Sequence, residues 1–580
     1  MTVHRLAPSR WGHLLARALY YLRQDGLLAL LRRSAAILGP RLLPWLFGYG
    51  LWQRVYQRPT SGDRRAIRRH MERFAVRPLF SVVVIGRPPS ARLLDSLEAQ
   101  LYRRWELCPA ADPASALASA KGDYLVLLDG DETLVPYAFY LAAAWVNDDP
   151  DIDLLYGDED AVDGKGRRTT PFFKPDWSPD LFLGWDYLGS GCIVRRSRAM
   201  TVGGLSRRLP AVARYDLLLR LLDGSPPPRI AHIPWILLHR EAGGAAGVDR
   251  EAVAEQGRQA VIEHCLRIGL LAEVCRLPGR DGQRRLIHPV TEPVPWVSAI
   301  IPTRDRVDLL RQCVDGLLDA TDYPRLEIVI VDNGSSEPAT LSYLAAVAAR
   351  GVTVRRDDGP FNYAALNNRA VAEAKGEVIL LLNNDIKVIH GDWLREMVGQ
   401  ALRPDVGAVG AKLYFPDDTL QHGGVVIGLG GVAGHLHHAV PGAASGDHDD
   451  LRLVREVSAV TAACLALRKQ VFEEVGGLDA DRLAVAFNDV DLCLKICRQG
   501  YRIIWTPFAE LYHFESASRG SDLAPDKIER FQREHRTMVE LWGDALSVDP
   551  YYNPNRTQDG CDGGLAYPPR LVKPWRPPSK

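Results

Sequence analysis

The hydrophobic pattern of this chain alternates short apolar runs with amphipathic stretches, and it does so in two series. The first series opens near residue 79 with FSVVVIG and the second with WVSAIIPTRD at residues 296–305. In the second series the pattern predicts strands in SAIIP, EIVIVD and EVILLL, the last ending at Asn383, and helices over 307–319 and in NYAALNNRAVAEAKG. This alternation predicts an α/β fold in which helices cover both faces of a mostly parallel sheet.

The two series also share their sequence. ALASAKGDYLVLLDGDETLV returns as AVAEAKGEVILLLNNDIKV, and three further equivalent pairs lie 272, 275 and 274 residues apart, namely Cys192 and Cys464, Asp216 and Asp491, His239 and His513. Near-constant spacing over dispersed blocks indicates a duplicated domain. We therefore divide the chain into a basic amphipathic helical arm (1–75), a degenerate unit (76–290), a complete unit (291–520) and a helical, proline-rich extension that wraps the molecule (521–580).

The copies differ at positions where chemistry is expected. The segment 106–121 of the first copy is 33 residues shorter than its counterpart 327–375, and it lacks an equivalent of EIVIVDNGSS. At the register set by the repeat, Arg214 of the first copy takes the place of Asp489 in the second. The sequence therefore predicts that the second unit alone is equipped for catalysis.

Charge is balanced over the whole chain but not along it. The 71 basic residues equal the 71 acidic ones, which argues against a general nucleic-acid binder. Residues 1–75 carry 14 Arg and three acids, and their longest uncharged run, 42–53, is 12 residues, too short to span a bilayer. Arginines beside short apolar runs favour a helix lying on an anionic membrane surface, and a basic arm packed on the next domain is the alternative. No cleavable signal peptide is evident.

Cysteine usage indicates the compartment. Nine cysteines are scattered without paired CxxC spacing, which is typical of free thiols in a reducing cytoplasm.

Polar residues follow the predicted strands of the second copy. Thr303, Asp332 and Asp385 fall at strand carboxyl ends, where ligands gather in such folds. Asn383 and Asp385 lie two positions apart and can aim oxygens at one divalent cation, Mg²⁺ or Mn²⁺, although a solvated turn is the simpler interpretation of this motif alone. His513 follows another strand and could complete the metal shell.

The block AFNDVDLCLKICRQG predicts a helix that starts with Asp489 and Asp491. A carboxylate at a helix N-terminus is favoured by the helix dipole, so simple capping is one interpretation. The other is a general base that removes a proton from an attacking hydroxyl.

Taken together and in this order, PTRDR, VDNGSS, FNYAALNN, LLLNND, FNDVDLCLK and YHFESASRG resemble bacterial glycosyltransferases of family 2 with a GT-A fold. FKPDWSPDL at 173–181 and DPYYNPN at 549–555 resemble the two-domain members associated with O-antigen and other surface polysaccharides, often called rhamnosyltransferases. The resemblance implies two tandem GT-A domains and an inverting transfer from a nucleotide-diphospho-sugar to a saccharide or lipid-linked saccharide. It also implies a cytoplasmic protein, peripheral on the membrane, that does not bind nucleic acid.

The resemblance also implies roles for individual residues. Asp489 matches the catalytic base, and Asn488 and Asp491 beside it would contact the acceptor or support the base. The residues that would bind the nucleotide-sugar are Pro302, Thr303, Arg304, Asp332, Asn367 and Asn384, and those that would bind the metal are Asn383, Asp385 and His513. Asn383 replaces the first Asp of the family's DXD motif, which predicts a weaker metal affinity.

Three other interpretations have to be weighed. GLGGVA at 428–433 fits a relaxed dinucleotide fingerprint, but the segment that follows, GHLHHAVPGAASG, is too rich in Gly and Pro for the long helix that this fingerprint must open. His422, His435, His437 and His438 could form a metal cluster or a loop that lines the acceptor cleft. The chain could also be a non-catalytic scaffold that binds nucleotide-sugar or polysaccharide, since the first copy keeps Asp129, Asp131 and His239 without the base.

Overall fold

The computed structural model describes residues 48–108, 113–243, 249–279, 282–515 and 527–576. The predicted arm therefore falls partly outside the described residues, from 1 to 47. The helices are α1 Tyr49–Tyr56, α2 Ser61–Glu72, α3 Ala91–Glu98, α4 Pro113–Ser119, α5 Ala138–Asp148, α6 Pro179–Gly184, α7 Arg196–Thr201, α8 Ala213–Leu222, α9 Arg250–Ile268, α10 Val307–Asp319, α11 Pro338–Ala349, α12 Tyr363–Glu373, α13 Trp393–Ala401, α14 Lys469–Glu474, α15 Asn488–Arg498 and α16 Ile528–Trp542.

The strands fall into two series. Those of the first unit are β1 Phe80–Ile85, β2 Trp105–Leu107, β3 Tyr124–Asp129, β4 Thr133–Leu134, β5 Leu154–Val162, β6 Arg168–Phe172, β7 Cys192–Arg195, β8 Ile230–Glu241, β9 Glu273–Arg276 and β10 Arg284–Ile287. Those of the second are β11 Val297–Thr303, β12 Leu326–Asp332, β13 Thr353–Arg356, β14 Val378–Leu382, β15 Ile386–Val388, β16 Val406–Tyr414, β17 Leu420–His422, β18 Val425–Ile427, β19 Ala433–His435, β20 Arg455–Glu456, β21 Cys464–Arg468 and β22 Arg502–His513.

The two main sheets have the same strand order. The first runs β2-β1-β3-β7-β5-β8-β4 and the second runs β13-β12-β11-β14-β21-β16-β22-β15, so β13 is the added edge strand. Equivalent neighbours also share their direction, for example parallel β1 with β3 and β11 with β14, and antiparallel β3 with β7 and β14 with β21. The duplication expected from the sequence thus extends to the topology.

The α/β fold class is confirmed, and most strands of the second sheet run in the same direction, as the alternation predicts. β13, β12, β11 and β14 are parallel and β16 is parallel to β22, whereas β21 pairs antiparallel with both β14 and β16, and β15 pairs antiparallel with β22. Strand direction depends on whether a connection crosses over the sheet, and a run of apolar residues does not record that.

The first unit keeps a short remnant of the strand that the sequence suggests it has lost. β2 pairs Glu106 with Ser81, as β12 pairs Glu327 with Ser298. Glu106 accepts a hydrogen bond from the Ser81 hydroxyl at 2.6 Å and Glu327 accepts one from the Ser298 hydroxyl at 2.5 Å. The turn after this strand, α11 and β13 have no counterpart among the described residues of the first unit.

Helices cover both faces of the second sheet, as the alternation predicts. Along β14, Leu380 and Leu382 belong to a core cluster with Trp393 of α13, while Ile379 and Leu381 belong to another with Leu492 of α15. Successive strand residues face opposite sides of a sheet, so a strand buried on both faces is apolar throughout.

The arm and the C-terminal extension pack on the first unit and on each other. Trp52 of α1 is 0% exposed and donates its indole N–H to the Ala566 carbonyl at 2.8 Å. Trp575 near the C-terminus donates to Asp63 of α2 at 2.9 Å. The residues on either side of the two units are therefore in direct contact with each other, through Trp52 with Ala566 and through Trp575 with Asp63.

A buried ion cluster joins the two units. Asp180, in the FKPDWSPDL block, pairs with Arg403 at 2.6 Å and also with Arg502 of the second unit. Arg502 pairs in addition with Glu456, which accepts a hydrogen bond from the Ser178 hydroxyl. Because removing one partner would leave a buried charge uncompensated, this cluster fixes how the units meet.

Candidate active site

The carboxyl ends of β11, β12 and β14 bring predicted donor-binding residues together. Thr303 and Asp332 end their strands and are paired in register, and both are buried. Asn384, which follows β14, donates its side-chain amide to the Thr303 hydroxyl at 2.9 Å. Three of the six predicted nucleotide-sugar residues thus meet at one sheet edge.

Two loops above this edge are locked together by Asp305. Its carboxylate accepts from the backbone N–H groups of Ser336 and Glu337 at 2.8 and 2.9 Å, and these bonds hold its pKa below the ordinary value. Asp305 and Arg306 both have left-handed backbone, with φ of 53° and 57°, which is uncommon outside glycine. The sequence-based reasoning missed Asp305, although strained backbone often marks a ligand loop.

The remaining predicted donor residues lie in different surroundings. Arg304 is exposed and forms no ion pair within the described part of the chain, whereas Pro302 is buried inside β11. Asp332 already forms an ion pair with Arg356 at 2.7 Å. A contact with the base of the nucleotide would therefore have to share the Asp332 carboxylate with Arg356. Asn367 is 0% exposed and donates back to its own helix, so the structure does not present it to a ligand.

The predicted metal residues converge where β15 pairs with β22. His513 Nε2 lies 3.2 Å from Asp385 Oδ1 and 3.3 Å from the Asn383 side-chain nitrogen. Asp385 Oδ1 and His513 Nδ1 have no hydrogen-bond partner although both are buried. A half-turn of the Asn383 side-chain amide places its oxygen at the same point.

This set fits a divalent cation. One carboxylate, one amide oxygen and one imidazole leave several coordination positions, which Mg²⁺ and Mn²⁺ usually fill with water and substrate phosphates. Within the described residues, no group of three or more His, Cys, Asp or Glu is arranged to hold a metal, so the separate cluster of His422, His435, His437 and His438 is not supported as a metal site.

Asp489 is the second residue of α15. It is linked to the candidate metal-binding loop through the backbone of two adjacent residues, Ala462 and Ala463. Its carboxylate accepts from the N–H groups of Ala462 and Val490 at 3.0 and 2.9 Å. The carbonyl of Ala463, the next residue, accepts from the Asn383 N–H at 3.0 Å. Adjacent residues thus hold the candidate base and the candidate metal loop.

Burial raises the pKa of the Asp489 carboxyl above its ordinary value. The hydrogen bonds from Ala462, Val490 and the Thr461 hydroxyl act in the opposite direction without reversing the shift. A carboxylate with a raised pKa binds a proton more strongly, which suits a general base.

The turn before Asp489 is braced by the C-terminal extension. Glu534 of α16, 1% exposed, accepts from the backbone N–H groups of Val485 and Ala486 at 3.2 and 2.8 Å. Phe487 caps α15 in a left-handed conformation, φ 61°, with its ring 5.4 Å from that of Phe531. No local motif signals Glu534, because it lies 45 residues after Asp489 in the chain.

Asn488 and Asp491 have supporting contacts. Asn488 is 2% exposed and donates to the Val485 carbonyl at 2.8 Å. Asp491 accepts from the Trp542 indole at 3.0 Å and pairs with Lys495 at 3.0 Å, which fastens α16 to α15. These partners favour support of the base over contact with the acceptor.

The hairpin of β18 and β19 excludes one alternative interpretation. Its connection contains only a short 3-10 turn, Leu429–Gly431, so GLGGVA does not open the helix that dinucleotide binding requires. His435 on β19 lies 2.9 Å from His422, Nδ1 to Nδ1. Burial holds the pKa of His422 well below its ordinary value. The strand that carries His422, β17, pairs with β16, and β16 pairs with β22, which ends at His513. That His422 and His435 line the acceptor cleft stays a prediction.

The first unit does not rebuild the metal site from Asp131 and His239. His513 pairs with the residue directly after Asp385, whereas His239 pairs with the second residue after Asp131. A shift of one residue turns a side chain to the opposite face of a sheet. His239 accordingly bonds Asp160 at 2.5 Å, and the sequence match between the two histidines is not a match in register.

Comparison with known proteins identifies the second unit. The family model described as "Glycosyl transferase family 2" matches residues 298–476. The second unit is a glycosyl transferase family 2 domain. The matched segment contains the donor loops, Asn383 and Asp385, and it ends before Asp489 and His513.

Longer similarities extend over both units of this chain. The chain is 40% identical over 591 residues to the uncharacterized protein y4gI of Sinorhizobium fredii, covering 93% of this chain and 65% of that protein. It is 36% identical over 608 residues to the O-antigen biosynthesis protein RfbC of Myxococcus xanthus, covering 97% of this chain and 46% of RfbC. The chain therefore spans less than two thirds of the length of either relative.

Among solved structures, the mannosyltransferase PcManGT from Pyrobaculum calidifontis in complex with GDP-Man and Mn²⁺ is 18% identical, covers 45% of this chain and 78% of that one, and has a TM-score of 0.31. A similarity at this TM-score says nothing about the candidate site.

Proposed function

We propose that the second unit moves a sugar from a nucleotide-diphospho-sugar to a hydroxyl of a saccharide or lipid-linked saccharide, with inversion at the anomeric carbon, in the synthesis of a cell-surface polysaccharide. The single observation that carries the proposal is the pair of backbone links at Ala462 and Ala463, which holds Asp489 beside the metal-binding set. The family match supports glycosyl transfer, and the relative named for O-antigen biosynthesis supports the polysaccharide.

In the proposed reaction Asp489 takes the proton from the acceptor hydroxyl. The hydroxyl oxygen then forms a bond to the anomeric carbon on the face opposite the diphosphate, and the bond from that carbon to the phosphate oxygen breaks. The nucleoside diphosphate leaves with the electron pair. The protein contributes mainly by holding the acceptor oxygen, the base and the leaving group in line.

The leaving diphosphate needs positive charge. A divalent cation held by Asn383, Asp385 and His513 would neutralise the charge that develops there. Arg304 is available for the same purpose, since it is exposed next to Thr303 without an ion pair in the described part of the chain. The proposal also implies a cytoplasmic location, with which nine free cysteines agree.

The test is a panel of nucleotide-diphospho-sugars with the purified full-length protein, scored by release of nucleoside diphosphate with and without saccharide acceptors. Release that depends on Asp489 and speeds up with an acceptor is the expected result. Tight binding of a donor without release or transfer under any acceptor would instead identify a non-catalytic binding scaffold.

A further inference from the structure

The helices α1 and α2 each bury one face and expose the other. α1 buries Trp52 and Gln53, and α2 buries Asp63 and Ile67. α2 is further fixed by a capping box between Thr60 and Asp63. The outward faces are consequently held in place by a well-packed inner side.

The outward face of α2 is a concentrated positive surface. Its four arginines are exposed and form no ion pair within the described part of the chain: Arg64, Arg65, Arg68 and Arg69. Their spacing puts them on one side of a helix. Asp63, the acid closest in sequence, is already bonded to Trp575 and Arg576. Some exposed arginines of the first unit do have acidic partners, for example Arg92 with Glu241 at 2.6 Å and Arg167 with Asp163 at 2.9 Å.

α1, which precedes α2 by the four residues 57–60, exposes apolar side chains on its own outward face. Leu51 and Val55 are 40% and 56% exposed and lie one helical turn apart, with the exposed Arg54 between them. Apolar side chains beside arginines suit the boundary between lipid headgroups and acyl chains, where each kind of group finds a favourable environment. The balanced charge of the whole chain argues against a general nucleic-acid binder.

We propose that α1 and α2 dock this protein onto an anionic lipid bilayer through a surface made of Leu51, Arg54, Val55, Arg64, Arg65, Arg68 and Arg69. The preceding residues 1–47 contain seven Arg and one acid, so they share the sign of this surface and cannot neutralise it. Among the described residues no helix is long and apolar enough to cross a membrane. The attachment we propose is peripheral, and it is independent of the proposed reaction.

The experiment measures binding of the full-length protein to vesicles of phosphatidylcholine alone or with phosphatidylglycerol, in the absence of any donor. At low salt we expect binding only to the anionic vesicles, and weakening as salt rises because the attraction is screened. Arg65→Gln with Arg69→Gln should weaken that binding about tenfold or more, since each arginine near an anionic surface contributes substantially. Leu51→Ser with Val55→Ser should weaken it at low and high salt alike.

Matched controls lie on α16, where Arg533 and Arg536 are exposed and Val539 is 46% exposed. Arg533→Gln with Arg536→Gln, and Val539→Ser, should leave vesicle binding within twofold of wild type. The proposal is overturned by equal losses in the α2 and α16 variants, by no binding to anionic vesicles at low salt, or by binding to duplex DNA without binding to vesicles. Because the altered side chains are exposed, circular dichroism should show every variant folded.

Discussion

The equivalent sheet edges of the two units differ in whether their polar side chains are paired with one another. In the second unit Asn384 bonds Thr303, Arg304 is exposed, and Asp385 Oδ1 lacks a hydrogen-bond partner. In the first unit the equivalent positions are Gly130, Gly86 and Arg87, and Arg87 forms an ion pair with Asp131. The edge that is open to a ligand in one copy is thus closed by its own charges in the other.

The closure of the first unit is steric as well as electrostatic. A Cβ at Gly130 would collide with the carbonyl oxygens of Arg87 and Pro88, so this loop lies directly on the strand end. At the position of the base, Arg214 is paired with Asp186 at 2.8 Å. The comparison teaches that the strand order can be kept while the loops and a few charges decide whether a site exists.

The largest expected difference between the two units is in metal binding. If Asn383, Asp385 and His513 hold a cation, EDTA should abolish transfer, and Mg²⁺ or Mn²⁺ should restore it. Asp385→Asn should reduce metal binding measured by calorimetry, whereas Asp131→Asn in the first unit should not. Full activity in metal-free protein, confirmed by elemental analysis, contradicts the assignment.

Loss of the base is the next largest effect. Asp489→Asn should lower kcat by about 100-fold or more because proton removal from the acceptor is lost, while donor affinity stays close to wild type. Arg214→Ala is the matched control and should change kcat by less than about threefold. Turnover near wild type in Asp489→Asn would show that the base is another residue.

The dependence of kcat/KM on pH should also reveal the role of Asp489. Asp489 acts only when deprotonated and its pKa is raised by burial, so kcat/KM should fall as pH decreases through a value above that of an ordinary aspartate. The residual activity of Asp489→Asn should lack this acidic limb. An unchanged limb in that variant assigns the titration elsewhere.

The smallest difference is expected where the units are alike. Ser81 and Ser298 are both 0% exposed and donate to Glu106 and Glu327, and each also accepts from the glycine that precedes β3 or β14. Replacing either serine by alanine should lower the free energy of unfolding by about 1 to 3 kcal/mol, because a buried glycine N–H loses its acceptor and a partly buried carboxylate loses a donor. Chemical denaturation measures this, and a large loss of transfer in Ser298→Ala alone would point to a role in the site.

Much of the second unit follows from its sequence. The helix predicted over 307–319 is Val307–Asp319, and Thr303 and Asp332 end their strands as the hydrophobic runs predict. Local patterns suffice here because strand and helix periodicity are set by near neighbours in the chain. The repeat, and the presence of Arg214 at the position equivalent to Asp489, can likewise be read from the sequence.

What the sequence could not determine involves distant partners. The contact of Asp489 with Ala462, the support by Glu534 and the one-residue shift of His239 each depend on segments far apart in the chain. The sequence pattern also did not predict that β21 pairs antiparallel with β14, because hydrophobic periodicity indicates burial but not strand direction. Sequence by itself determined the elements, the duplication and the candidate residues, whereas the tertiary structure alone decided which side chains meet, because proximity across a sheet is set by register and packing rather than by spacing along the chain.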